Sequence, residues 1–124
     1  KHDVSLPIAA IPEFVRTAGA AVLARLPGAR LIAYGHLGDG NLHFNFSQPA
    51  GMAPAAFDAR TAEVTRLVHD LVAARGGSFS AEHGVGQSKV EDLRRYEDPV
   101  ALELMRRLKS VLDPLGIMNP GKVV

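Results

Sequence analysis

Two histidines flank a glycine-rich turn in Gly35-His36-Leu37-Gly38-Asp39-Gly40-Asn41-Leu42-His43-Phe44-Asn45. Asp-Gly between strand-like runs signals a β-hairpin. With Asp39 and Gly40 as the central turn residues, Gly38 pairs with Asn41, Leu37 with Leu42 and His36 with His43. Direct cross-strand neighbours have Cβ atoms about 4.5–5.5 Å apart, close enough for both imidazoles to reach one metal ion. Alternation puts Asn45 beside His43 on the polar face and turns Leu42, Phe44 and Phe46 towards the opposite, helix-covered face. The plain alternative is a pair of solvated histidines on an exposed sheet face. A third ligand is on offer in Ser80-Ala81-Glu82-His83-Gly84. One carboxylate, Glu82, with two neutral imidazoles suits zinc, manganese or iron and leaves positions open for water or substrate. His83 reads either as a general base, since imidazole titrates near neutrality, or as a loop histidine bonded to backbone.

These side chains need a scaffold, and the apolar spacing describes one. Val4 to Pro7 reads as a short extended segment. Ile11, Phe14, Val15, Ala18, Val22, Leu23 and Leu26 recur at gaps of three and four, a helix entered at Pro12 and ended by Pro27-Gly28. Leu31 to His36 and Asn41 to Ser47 are strand-like. Phe57, Val64, Leu67, Val68, Leu71 and Val72 mark a second long helix closing at Gly76-Gly77, with His69 expected on its solvated side beside Arg66 and Asp70. Ser78 to Ala81 is expected as a fourth strand. Strand, helix, strand, strand, helix, strand is the ferredoxin-like βαββαβ order, so the fold class is α+β: an antiparallel sheet with helices on one face. A C-terminal helical appendage follows, capped by Asp98-Pro99. Its stripe of Ala101, Leu104, Met105, Leu108, Val111 and Leu112 is expected to be core.

At 124 residues the chain suits one compact domain, residues 1–124. An apolar fraction of 47% and a charged fraction of 22% are those of a globular chain. A formal net charge of +1 supplies no broad field for nucleic acid or anionic lipid. The absence of cysteine excludes disulfides, thiolate zinc sites, iron-sulfur ligation and cysteine nucleophiles. No apolar run approaches the roughly 20 residues that span a bilayer. Gly84 to Lys89 lacks the Gly-Lys-Ser/Thr ending of a phosphate loop, and no dinucleotide fingerprint occurs. The opening on Lys1 rather than Met is expected of a piece of a longer polypeptide.

The hairpin motif, then Ser80-Ala81-Glu82-His83-Gly84-Val85-Gly86, then Leu112-Asp113-Pro114-Leu115-Gly116-Ile117-Met118-Asn119-Pro120-Gly121-Lys122, together resemble the C-terminal domain of FAD-linked oxidases. The resemblance runs over essentially the whole chain, from Lys1 to Lys122. It implies a divalent metal on His36, His43 and Glu82, with His83 as the base for the substrate hydroxyl. It also implies Lys1 and Asn45 near the substrate carboxylates, and Asn119, with Lys122 second, near the flavin. By the same resemblance FAD is held chiefly by a separate N-terminal domain, with this chain as the substrate-and-metal cap. The expected activity is oxidation of a small D-2-hydroxy acid of the D-lactate, glycolate or D-2-hydroxyglutarate type to a 2-oxo acid. A homodimer is compatible with it, and the expected location is the cytoplasm or the inner face of a membrane. The rival readings are a stand-alone ferredoxin-like metal or small-ligand sensor without catalysis, and a structural oligomerisation domain.

Overall fold

A computed structural model describes residues 1–124, which divide into two compact units, Lys1–His83 and Gly84–Val124. The first unit is an α+β domain. Strand β1 (Asp3–Ser5) leads through a short 3₁₀ turn into helix α1 (Ile11–Arg25). Strands β2 (Leu31–Tyr34) and β3 (Asn41–Phe46) follow, then helix α2 (Pro54–Ala73). The sheet is antiparallel in the order β1-β3-β2.

Periodicity accounts for the helices. In α1, Ile11, Phe14, Ala18 and Val22 are buried, as are Val64, Val68 and Val72 in α2. Both helices carry proline in the first turn, where its missing N–H costs nothing. These residues form one core with Val4, Leu42 and Phe44 of the sheet, and Phe46 packs partly buried against it. Helices therefore cover one face, and the two-residue alternation of β3 leaves His43 and Asn45 on the other.

The expected fourth strand shrinks to a bridge. Ser5 and Ser78 exchange backbone hydrogen bonds of 2.9 Å each way, so the segment does align beside β1. A regular ladder would next bring the Ser80 N–H to the Asp3 carbonyl. Instead Ser80 N–H donates to Ser78 Oγ (3.3 Å), and it is Ala81 N–H that reaches the Asp3 carbonyl (3.2 Å). The Ser78 hydroxyl competes with the ladder for its neighbour's backbone.

A further expectation is corrected. His69 is buried, not solvated: its ring lies 5.9 Å from that of His2 and 5.8 Å from that of Phe79. The chain before β1 and the segment after α2 cover it, so the buried arc of the helix is wider than its aliphatic stripe. His2, unassigned by sequence, is buried too, with Nδ1 2.6 Å from the Phe44 carbonyl oxygen.

The second unit holds α3 (Val90–Tyr96) and α4 (Pro99–Leu112). Asp98 caps α4 as expected, its Oδ1 accepting from the N–H groups of Val100 (2.8 Å) and Ala101 (3.2 Å). The stripe of α4 is not core: Leu104, Leu108, Val111 and Leu112 are exposed, Met105 is half-buried, and Leu102 alone on this helix is buried. A helical apolar period marks a face suited to burial without specifying what buries it. No helix of the chain is long and apolar enough to cross a membrane.

Candidate metal centre

The hairpin closes differently from its simplest sequence reading. The register pairs Tyr34 with His43, Ala33 with Phe44, Ile32 with Asn45 and Leu31 with Phe46. His36 therefore does not stand opposite His43. It lies beyond the end of β2, at the entry of a 3₁₀ turn over Leu37–Asp39, and Gly40 in the left-handed region (φ +70°) returns the chain into β3. The turn consumes more residues than a two-residue hairpin, and the register shifts by two. An even shift preserves the face of every side chain, so both imidazoles remain on the polar side. Close approach makes two glycines obligatory: a Cβ on Gly35 would sit 2.3 Å from the Asn41 carbonyl oxygen, and one on Gly40 2.3 Å from that of Leu6.

The three expected ligands come together. One ligand atom from each of His36, His43 and Glu82 lies within 4.8 Å of the others. His43 Nε2 is 2.8 Å from Glu82 Oε1, and His36 Nδ1 is 3.6 Å from Glu82 Oε2. Donors bound to one zinc ion at about 2.0–2.2 Å in tetrahedral geometry stand roughly 3.3–3.6 Å apart. The 2.8 and 3.6 Å separations from Glu82 lie close to that spacing. The donor set, two imidazole nitrogens and one carboxylate, fits a borderline divalent cation with positions left open.

Access is graded. The His43 side chain is 13% exposed, held between Tyr34 of β2 and Asp3 of β1, whereas those of His36 and Glu82 are 64% and 40% exposed. One inner ligand and two outer ones make a site open on one side. His83 joins this cluster, its ring centroid 5.6 Å from that of His43 and its Nε2 3.8 Å from Glu82 Oε1.

Other expected residues are placed as follows. Asn45 follows His43 on the polar face, and its Oδ1 accepts from the backbone N–H of His2 (3.0 Å). Lys1 lines a cavity of about 190 Å³ with Phe46, Phe57 and Val64. Asn119 and Lys122 belong to the second unit, where Lys122 N–H donates to the Asn119 carbonyl (3.2 Å) and Asn119 has a positive φ of 46°.

Sequence reasoning missed Tyr34 and Asp3. Tyr34 is 59% exposed, with its ring 4.9 Å from that of His43. The register alone brings it there. Asp3 is buried directly opposite His43. Its only sequence signal is an acid beside Val4 in an extended segment, and that becomes informative once β1 is known to pair with β3.

Fold and site together define an α+β domain that presents a His-His-Glu constellation with a third histidine on the face of an antiparallel sheet opposite its helices. A family model described as FAD linked oxidases, C-terminal domain, matches residues 1–123, and the chain belongs to that family. It is 40% identical over 123 residues to a D-2-hydroxyglutarate dehydrogenase of Stutzerimonas stutzeri (strain A1501), covering 99% of this chain and 26% of that protein. A mitochondrial D-2-hydroxyglutarate dehydrogenase of Bos taurus is 41% identical over 126 residues, covering 100% of this chain and 22% of its own length. An uncharacterized FAD-linked oxidoreductase of Mycobacterium tuberculosis is 40% identical over 124 residues, with 98% and 24% covered. The chain thus spans about a quarter of the length of the curated relatives it matches.

Proposed function

We propose that this chain is the substrate-and-metal half of an FAD-dependent dehydrogenase that oxidises a D-2-hydroxy acid to its 2-oxo acid. D-2-hydroxyglutarate is the favoured substrate, because relatives about 40% identical over this domain bear that name. The observation that carries the proposal is the convergence of His36, His43 and Glu82 within 4.8 Å, with His83 beside them. A sensor module accounts for a metal site but not for relatives that devote three quarters of their length to other sequence.

His36, His43 and Glu82 would hold a divalent metal. When bound, that metal supplies Lewis acidity to an α-hydroxyl and its neighbouring carboxylate, and FAD supplies the acceptor for the hydrogen and two electrons that leave Cα. The chain's own residues do the rest. His83, 64% exposed at the side chain, is open to substrate and takes the hydroxyl proton on Nε2. Its Nδ1 lies 3.3 Å from Asp3 Oδ2, which orients the ring for that transfer. The Tyr34 ring stands beside that of His43, and Asn45 and Lys1 are proposed for the substrate carboxylates.

The test is carried out on the whole natural protein containing this chain. Bound metal is measured in the wild type and in His36→Ala, His43→Ala and Glu82→Gln, and turnover is assayed on D-2-hydroxyglutarate, D-lactate and glycolate. Loss of both stoichiometric metal and turnover in all three variants is expected. Full turnover in protein stripped of metal would overturn the reading.

A further inference from the structure

Asp3 is the one carboxylate on the sheet face opposite the helices that is almost sealed from solvent, with 5% of its side chain exposed. A buried carboxylate is costly unless hydrogen-bonded, so its partners reveal what it is there to hold. They are the backbone of the site loop. Asp3 Oδ2 accepts from the N–H groups of Glu82 (3.0 Å) and His83 (2.8 Å), and the Asp3 carbonyl accepts from Ala81 (3.2 Å). Three consecutive backbone donors, about eighty positions away along the chain, hang on this residue.

The same carboxylate faces two imidazoles. Asp3 Oδ1 lies 3.8 Å from His43 Nδ1, and Oδ2 lies 3.3 Å from His83 Nδ1. On both rings it is Nε2 that looks towards Glu82 Oε1, at 2.8 Å from His43 and 3.8 Å from His83. At 3.3 Å the Asp3 carboxylate favours the His83 proton on Nδ1; at 3.8 Å it is not yet hydrogen-bonded to His43 Nδ1, but a metal on His43 Nε2, in place of the Glu82 contact, would leave that ring's proton on Nδ1, facing Asp3.

We propose that Asp3 is the positioning residue of the site: it clasps the Glu82–His83 turn to β1 and sets the tautomer in which His43 and His83 both direct Nε2 to one centre. The inference rests on the reading of His36, His43 and Glu82 as metal ligands. Asparagine with its oxygen in the Oδ2 place would still accept from the loop, but its NH₂ group, in the Oδ1 place, would present a donor to His43 Nδ1 where an acceptor is needed.

The test uses the whole natural protein, stripped of metal and titrated with zinc against a chelator of known affinity, in wild type, Asp3→Asn and Asp3→Ala. Nitrogen-15 NMR of the zinc-loaded wild type reports which ring atom of His43 carries its proton. The expected results are zinc bound about ten- to a hundredfold more weakly by Asp3→Asn, weaker still by Asp3→Ala, and a proton on His43 Nδ1. Wild-type protein that binds no zinc would overturn the metal reading and this inference together. Wild type that binds zinc while Asp3→Asn binds it equally well would overturn this inference alone. Should both variants fail to fold, the wild-type spectrum decides: His43 ligating through Nδ1, with its proton on Nε2, overturns the clasp.

Discussion

At the scale of single residues, the chemistry assigned to His83 is the most exposed to experiment. A positioned base typically contributes about 10²–10⁴-fold to rate. His83→Ala in the whole enzyme is therefore expected to lower kcat by about that factor while leaving bound metal near wild type, since His83 lies outside the triad. Rate and metal content measured on one preparation separate this outcome from collapse of the site. Glu82→Gln should do the reverse and lose metal first, because an amide replaces the only anionic ligand of the three. Tyr34 and Asp3 show how a site extends beyond its reactive groups. One limits the space beside His43, and the other anchors the loop that carries Glu82 and His83.

Among the elements, the β2–β3 connection carries the greatest steric demand. Gly40 has φ +70°, and a Cβ there would lie 2.3 Å from the Leu6 carbonyl oxygen. Gly40→Ala is expected to destabilise the first unit by at least about 1–3 kcal/mol, the usual cost of a backbone conformation that L side chains avoid. Denaturant unfolding measures that loss, and faster amide exchange at Asn41 and Leu42 would localise it to the hairpin. In the second unit the end of α4 is tied by Asp113, whose carboxylate accepts from Lys109 Nζ and from the N–H groups of Ile117 (3.0 Å) and Met118 (2.9 Å). The Lys109 ammonium first, then these backbone donors, hold the Asp113 carboxyl below its ordinary value of 3.8. A carboxyl depressed on folding stabilises the folded state above its unfolded pKa and loses that contribution as pH falls through the folded one. The Asp113 carboxyl resonance should thus titrate below 3.8, and Asp113→Asn should remove that part of the acid dependence of stability.

Over the whole molecule, the core of the first unit is what holds the candidate ligands at their separation. Phe44 is fully buried, with its ring 5.1 Å from that of Phe14, and it neighbours His43 in β3. Phe44→Ala is expected to cost about 3–5 kcal/mol by calorimetric or denaturant unfolding, and to weaken metal binding in step. Conversely, a divalent ion at a hundred times its Kd should stabilise the wild type by about 2.7 kcal/mol, an increment that Glu82→Gln removes. The three long helices, the buried stripes of those in the first unit, the Asp98 cap and the residues of the His-His-Glu triad were legible in the amino-acid order. Each is written in short local runs, the triad in two separate ones, as the periods of Ile11, Phe14, Ala18 and Val22 or the glycines around His36 show. Tertiary structure alone decided that Tyr34 rather than His36 stands across from His43, that Ser78 makes a bridge instead of a strand, and that His69 is covered. It alone brought Asp3 beneath Glu82 and His83. Register and burial depend on which backbone groups and surfaces satisfy one another in the packed chain, and for contacts such as that of Asp3 with Glu82 and His83 no local window of sequence contains both partners.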